Sequence, residues 1–172
     1  SERPAEAAWD YANHPRETVS WFEAMAFCRW LSQTLGHEVR LPSEQEWEKA
    51  ARGVDGREFP WGEFSPGHAN LDETWDGAGP HCLGLTSAAG VYPQGASPCG
   101  ALDMAGNVWE WCLNRYDKPG ETDPGGDVRR VVRGGSWVSG RGFARCACRG
   151  VTHPGYRGSY LGFRVLCVSP IS

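Results

Sequence analysis

The sequence predicts an α+β fold of two short helices and short antiparallel strands, with more than half of its residues irregular. Three observations predict it. Two Ser-x-x-Glu capping boxes each open a run with helical spacing. Three short runs in the second half, bounded by Gly and Pro, read as strands. Finally, 23 of 172 residues are glycine and nine are tryptophan, which suits a chain of turns held by large buried rings. At 172 residues the length is close to the roughly 150 of one domain.

Taken in order, Ser20-Trp21-Phe22-Glu23 places Ser at the N-cap and Glu at N3, and Ala24, Phe27, Cys28, Trp30 and Leu31 follow at helical spacing up to Gly36; this predicts a helix over 20–35. The second box, Ser43-Glu44-Gln45-Glu46, enters after Pro42 and runs through Trp47, Ala50 and Ala51 to Gly53, predicting a helix over 43–52. Residues 53–100 carry Gly, Pro, Ser and Asp with no sustained period, yet hold Phe59, Trp61, Trp75 and Tyr92. A long folded excursion of turns is expected there rather than a disordered linker. Residues 107–113, 128–133 and 162–168 are the expected strands.

Composition narrows the function classes. The net charge of −4 gives no electrostatic basis for nucleic-acid binding, which depends on Lys and Arg excess. No apolar run approaches the roughly 18 residues of a membrane span, so no membrane insertion is expected. Residues 1–15 have no apolar core of a signal peptide, and a cytoplasmic location is expected. Seven cysteines, Cys28, Cys82, Cys99, Cys112, Cys146, Cys148 and Cys167, cannot all pair within one chain, and none forms a C-x-x-C. His14, His37, His68, His81 and His153 are scattered, with no pair at metal-ligand spacing.

A series of motifs then occurs in order: His14-Pro15, Arg40-Leu41-Pro42-Ser43-Glu44, Glu46-Trp47-Glu48, Pro60-Trp61-Gly62, Ala69-Asn70, Asp103-Met104-Ala105-Gly106-Asn107-Val108-Trp109-Glu110-Trp111, Arg133-Gly134-Gly135-Ser136-Trp137 and Gly162-Phe163-Arg164. By these the chain resembles the formylglycine-generating (sulfatase-modifying factor) superfamily. The resemblance implies a C-type-lectin-like fold over residues 13–172 behind an N-terminal extension, 1–12. In the oxidases of that superfamily two redox-active cysteines follow the Gly-Gly-Ser-aromatic motif. Here Val138-Ser139-Gly140-Arg141-Gly142-Phe143 has none. Cys146 and Cys148 come later, where an alternating strand would place both on one face, a pairing suited to a soft metal such as Cu(I). Sulfoxide synthases of the superfamily carry their iron-binding histidines on a further domain. The resemblance is therefore read here without catalytic residues and without enzyme activity. A copper/thiol oxidase, a sulfoxide-synthase-related enzyme and a non-diversified binding or regulatory module are the alternatives.

The resemblance also implies a structural calcium ion, held by the side chains of Asp103 and Glu110 and the carbonyls of Gly106 and Val108, an oxygen-only set of the kind Ca²⁺ prefers. A second such site would use Asn70 and the Leu71 carbonyl with an acidic residue where this chain has His81.

Residues 138–160 stand apart. They contain no Lys, Glu, Gln, Met or Trp, whereas the other 149 residues contain 29 of these; a random 23-residue stretch would lack all five with odds on the order of 1%. These are the five amino acids that no codon ending in a pyrimidine encodes. A segment rewritten from Asn codons by adenine replacement would lack them, as in the variable proteins of diversity-generating retroelements, many of which carry this superfamily domain. Arg145, Ala147, Arg149, Pro154, Arg157 and Leu161-Gly162-Phe163-Arg164 look like scaffold. Val138, Ser139, Gly140, Phe143, Cys148, Gly150, Thr152, His153, Gly155, Tyr156, Gly158, Ser159 and Tyr160 look like freely chosen ligand-binding positions, with Phe143, Tyr156 and Tyr160 as anchors. This predicts a protein or other macromolecular ligand bound at an exposed 138–160 face, with Trp109, Trp111, Trp137 and Phe163 largely buried.

Overall fold

The structure, a computed structural model, describes residues 5–168; residues 1–4 of the expected extension and 169–172 of the expected domain lie outside the described residues. Both capping boxes form as predicted. Helix α1 (Trp21–Leu35) is capped by Ser20, whose hydroxyl accepts from the Glu23 amide while Glu23 reaches back to the Ser20 amide, and it stops at Gly36 in the left-handed region (φ 75°). Helix α2 (Glu44–Arg52) repeats the arrangement with Ser43 and Glu46.

Six short strands make two sheets. Strands β1 (Val39–Arg40) and β6 (Leu166–Cys167) pair antiparallel. The larger sheet has the order β4-β3-β2-β5, with β2 at Trp109–Arg115, β3 at Arg130–Arg133, β4 at Gly150–Thr152 and β5 at Leu161–Gly162. The expected strands over 107–113 and 128–133 thus exist with shifted ends, while the one expected over 162–168 is broken into β5 and β6. β1 and β4 were not expected. Nor is the sheet wholly antiparallel, because β5 runs parallel to β2. Strands β2, β3 and β4 alternate in direction, and β5 then lies beyond β2 on the far side from β4. The chain must therefore cross the sheet between β4 and β5, and such a crossover yields parallel strands.

Alternation along the strands gives the sheet two covered faces. Trp111 on β2 and Val132 on β3 pack against Trp21, Ala24 and Cys28 of α1. Cys112 and Val131 turn the other way and pack with Trp47 and Ala51 of α2. Each buried indole of the first cluster finds an acceptor: Trp21 Nε1 donates to the Cys112 carbonyl and Trp111 Nε1 to the Val19 carbonyl, both at 2.9 Å. The Arg130 guanidinium lies 4.0 Å from the Trp21 ring centre.

The excursion over 53–100 is folded, as expected, but around polar groups. Asn107 donates to the Ser87 carbonyl (3.1 Å) and accepts from the Ser87 amide (3.0 Å). The buried Glu73 carboxylate accepts from the Gly67 and His81 amides. A smaller apolar cluster of Phe59, Leu71, Ala105 and Ala144 fixes the excursion to the rest.

Candidate ligand-binding site

The crossover between β4 and β5 is residues 153–160, the C-terminal part of the segment singled out in the sequence. It is strapped to the start of α1. The Thr18 amide donates to the Gly158 carbonyl (3.1 Å), the Trp21 amide donates to the Pro154 carbonyl (2.9 Å), and Arg157 Nε pairs with Glu23 at 2.9 Å. Because α1 covers only one end of its sheet face, the other end stays open beneath the crossover. A cavity of about 370 Å³ lies there. Trp109, Val132, Gly150 and Leu161 line it, one from each strand, together with Val151, Thr152 and the rings of Tyr156 and Tyr160. The two tyrosine hydroxyls are 2.5 Å apart, and this hydrogen bond, with partial burial, pushes the Tyr160 phenol up to about 12.

Four of the thirteen expected ligand-binding positions thus share one cavity: Gly150, Thr152, Tyr156 and Tyr160. Val138, Phe143 and His153 are exposed outside it, and Cys148, Gly155, Gly158 and Ser159 are half-buried. Ser139 and Gly140 depart from the expectation, being buried. The Ser139 hydroxyl accepts from the Ser136 amide, and the exposed Trp75 ring lies over Gly140, where a Cβ would come within 3.1 Å of it. Trp75 therefore joins the face, a residue the sequence reading did not connect with it. The side chains expected to be largely buried differ in degree. Trp111 is buried, whereas Trp109, Trp137 and Phe163 are half-buried. The Trp109 ring forms part of the cavity floor, while Trp137 packs edge-on against Trp9 with centroids 5.2 Å apart.

The scaffold-like arginines tie loops down. Arg149 pairs with Glu44 (2.7 Å), Arg157 with Glu23, and Arg164 with Glu110 (2.5 Å); Arg145 Nε donates to the Gly142 carbonyl. Cys146 and Cys148 do not share the face that an alternating strand would have given them. They lie in a turn rather than a strand; Cys146 is buried in the α2-side core, where burial pushes its thiol up to about 11, and Cys148 lines a groove with Arg52, Arg57 and Arg145.

The residues expected to hold calcium lie on the far side of β2. Asp103, Val108 and Glu110 line a second cavity of about 350 Å³ with Asn107 and Arg164. Burial pushes the Asp103 carboxyl up, and its Oδ2 accepts from the Gly90 amide (2.7 Å). Glu110 accepts from Trp47 Nε1 (2.6 Å) and from both Nε and Nη2 of Arg164. Among the described residues no three His, Cys, Asp or Glu side chains converge on a metal position. Both Glu110 oxygens are engaged by Arg164 and Trp47, so a calcium ion here would have to share that carboxylate with Arg164. At the second expected site Asn70 Oδ1 is buried with no hydrogen bond from the described residues. The His81 ring is instead beside Gly67.

The geometry belongs to a known class. The model of the sulfatase-modifying factor enzyme 1-like domain matches residues 1–168, and the chain belongs to that family. It is similar to a formylglycine-generating enzyme of Streptomyces coelicolor, 37% identical over 169 residues, which cover 88% of this chain and 52% of that protein. It is also similar to a hercynine oxygenase of Mycobacterium tuberculosis, 36% identical over 170 residues, 90% of this chain and 37% of that protein. The chain therefore spans about half, or less, of these relatives. Among solved structures it resembles Treponema denticola variable protein 1, with a TM-score of 0.73 and 25% identity over 97% of this chain and 76% of that one. The expectation that the chain has no enzyme activity is overturned by the relatives named as enzymes, the formylglycine-generating enzyme and the hercynine oxygenase. Absence of the cysteine pair from 138–143 was too narrow a basis for it. Among the described residues no helix is long and apolar enough to cross a membrane.

Proposed function

We propose that this chain is a ligand-binding variable protein of a diversity-generating retroelement, displaying a diversified face on the sulfatase-modifying factor scaffold. One observation carries the reading: within 138–160 the scaffold-like and the freely chosen positions have different physical roles. Pro154 is buried, as are Leu161 and Gly162 just after the segment, while the exposed Arg149 and Arg157 are held by carboxylates of α2 and α1 and Arg145 by the Gly142 carbonyl. Eleven of the thirteen freely chosen positions are at least partly open to solvent. Exchanging such side chains, Gly150 apart, leaves core packing and the crossover's backbone hydrogen bonds in place, which is what a diversified surface requires; at Gly150 a Cβ would press on Val132 and Trp109. Similarity to Treponema denticola variable protein 1 supports the same reading.

The ligand is a protein or other macromolecule meeting Phe143, Tyr156 and Tyr160, and the net charge of −4 argues against nucleic acid. A structural calcium ion, when bound, would be held by Asp103 and the Gly106 and Val108 carbonyls, with Glu110 shared between the ion and Arg164, and would brace the turn before β2. The test of the main reading is genetic and physical together. A near-copy of the 138–160 coding region, with adenines at the differing positions, is expected beside the gene. A library varied at the ten open positions other than Gly150 should yield binders to unrelated proteins with melting temperatures within a few degrees of the parent. No near-copy, together with a library that mostly unfolds, would overturn the reading.

A further inference from the structure

We infer that the cavity under the β4–β5 crossover receives a neutral aromatic side chain, presented by a protein partner as the central knob of the interface. The inference rests on the display reading above. The first ground is shape. The floor is the open end of a sheet face, made by Trp109, Val132 and Leu161, and the walls are the rings of Tyr156 and Tyr160. Gly150 lets β4 lie close against this floor, since a Cβ there would come 2.7 Å from Val132 and 3.0 Å from the Trp109 ring. A volume of about 370 Å³ is at the low end of the roughly 300–1,000 Å³ that ligand pockets span, room for one bulky side chain rather than a cofactor.

The second ground is charge. Every side chain lining the cavity is uncharged, although the same segment carries Arg149, His153 and Arg157. Each of these has an acidic partner elsewhere: Glu44 for Arg149, Asp127 for His153 (2.9 Å) and Glu23 for Arg157. No carboxylate lines the cavity to compensate the desolvation of a cation, which would be left with cation–π attraction alone, and aromatic faces repel an anion. A neutral ring gains edge-to-face contacts with Trp109 and the tyrosines. With one tyrosine hydroxyl donating to the other across 2.5 Å, the second proton is left for a carbonyl or hydroxyl of the guest.

The third ground is what surrounds the cavity. Phe143 lies edge-on to Trp109, with centroids 6.3 Å apart, and is about half exposed. Val138 and Trp75 are exposed on the same segment and beside it. Contacts around a central pocket, such as Phe143 can make beside Trp109, exclude water and let one anchor side chain dominate a protein interface.

The experiment uses the chain with p-cresol and indole as probes, tetramethylammonium as a cationic control and cyclohexanol as an aliphatic one, read by shifts of the Trp109 indole and Tyr160 ring signals in NMR titrations. Both aromatic probes should bind with millimolar Kd and move these signals. Thr152→Trp, which fills the cavity, and Tyr156→Ala should each weaken binding at least tenfold at an unchanged melting temperature. Trp30→Ala, on the exposed side of α1, should not change it. No shift with either aromatic probe, equal shifts with tetramethylammonium or cyclohexanol, or full binding by Thr152→Trp would overturn the inference. If the probes fail while changing the open positions still changes which purified protein is bound, the display reading stands and the pocket inference alone fails. Should the probes bind while such changes leave partner binding unaltered, the display reading is the one that falls.

Discussion

Trp109 and Trp111 are two positions apart on β2 and so point to the same side of the sheet. Only Trp111 lies under α1. Its ring is fully buried and its indole hydrogen-bonded, whereas Trp109 reaches past the helix into the cavity. Trp111→Ala should therefore cost about 3–5 kcal/mol, the range for a fully buried Trp, and Trp109→Ala about 1–3 kcal/mol. Tyr156→Ala should stay within about 1 kcal/mol, because the ring is partly exposed. Urea denaturation of the three variants gives the ranking, and equal losses for Trp109 and Trp111 would contradict it. A second residue-level prediction concerns Arg164, which donates to Glu110 and to the Leu102 and Asp103 carbonyls. Arg164→Ala strands the buried Glu110 carboxylate and should cost about 3–5 kcal/mol. Trp47→Phe removes the other donor to Glu110 but leaves the Arg164 pair in place; its cost in the same measurement comes mainly from the space vacated by a fully buried indole.

At the scale of elements, both helix starts depend on ionised glutamates. The Arg40 guanidinium, opposed by partial burial and aided by the Ser43 amide, lowers Glu46 from 4.5 to about 2. For Glu23, partial burial raises the carboxyl, but Arg157 and the Ser20 amide outweigh it and hold it at about 2. Both folded values lie below the ordinary 4.5, so the unfolded chain binds more protons between pH 4.5 and 2, and stability falls as pH drops through that window. Thermal melts should show a steeper loss from pH 4.5 to 2 for the parent than for Glu46→Gln, with the parent the more stable and both melting temperatures nearly flat above pH 5.5. The Glu23–Arg157 pair also couples α1 to the crossover, so Arg157→Ala should loosen residues 153–160, seen as faster amide exchange at Thr18 and Trp21, whose amides donate to the crossover.

Across the whole molecule, the long excursion and the turn before β2 meet around buried polar groups rather than an extensive apolar core. The Asn107 amide donates to the Asn70 carbonyl (2.9 Å), and a Cβ on Gly106 would come 2.4 Å from that oxygen. The same region contains the oxygen atoms proposed for calcium. Millimolar Ca²⁺ should raise the melting temperature by a few degrees, since a ligand at 100 times its Kd contributes about 2.7 kcal/mol. EDTA should reverse the effect and Asp103→Ala should abolish it.

The two capping boxes, read from four residues each, located both helices because a cap satisfies backbone donors within its own turn and needs no distant partner. Ordered motifs carried the family and its fold, and the missing amino-acid types marked 138–160 as a unit. None of this contained the topology. Because β5 lies beyond β2, the chain must cross an open sheet face, and that crossing gathers Gly150, Thr152, Tyr156 and Tyr160 around Trp109 while Ser139 and Gly140 go under Trp75 and Ser136. Side-chain alternation was legible in each strand, but which end of a face α1 would cover was not. That depends on contacts between residues as far apart as Trp21 and Cys112, a long-range packing choice that local sequence does not encode.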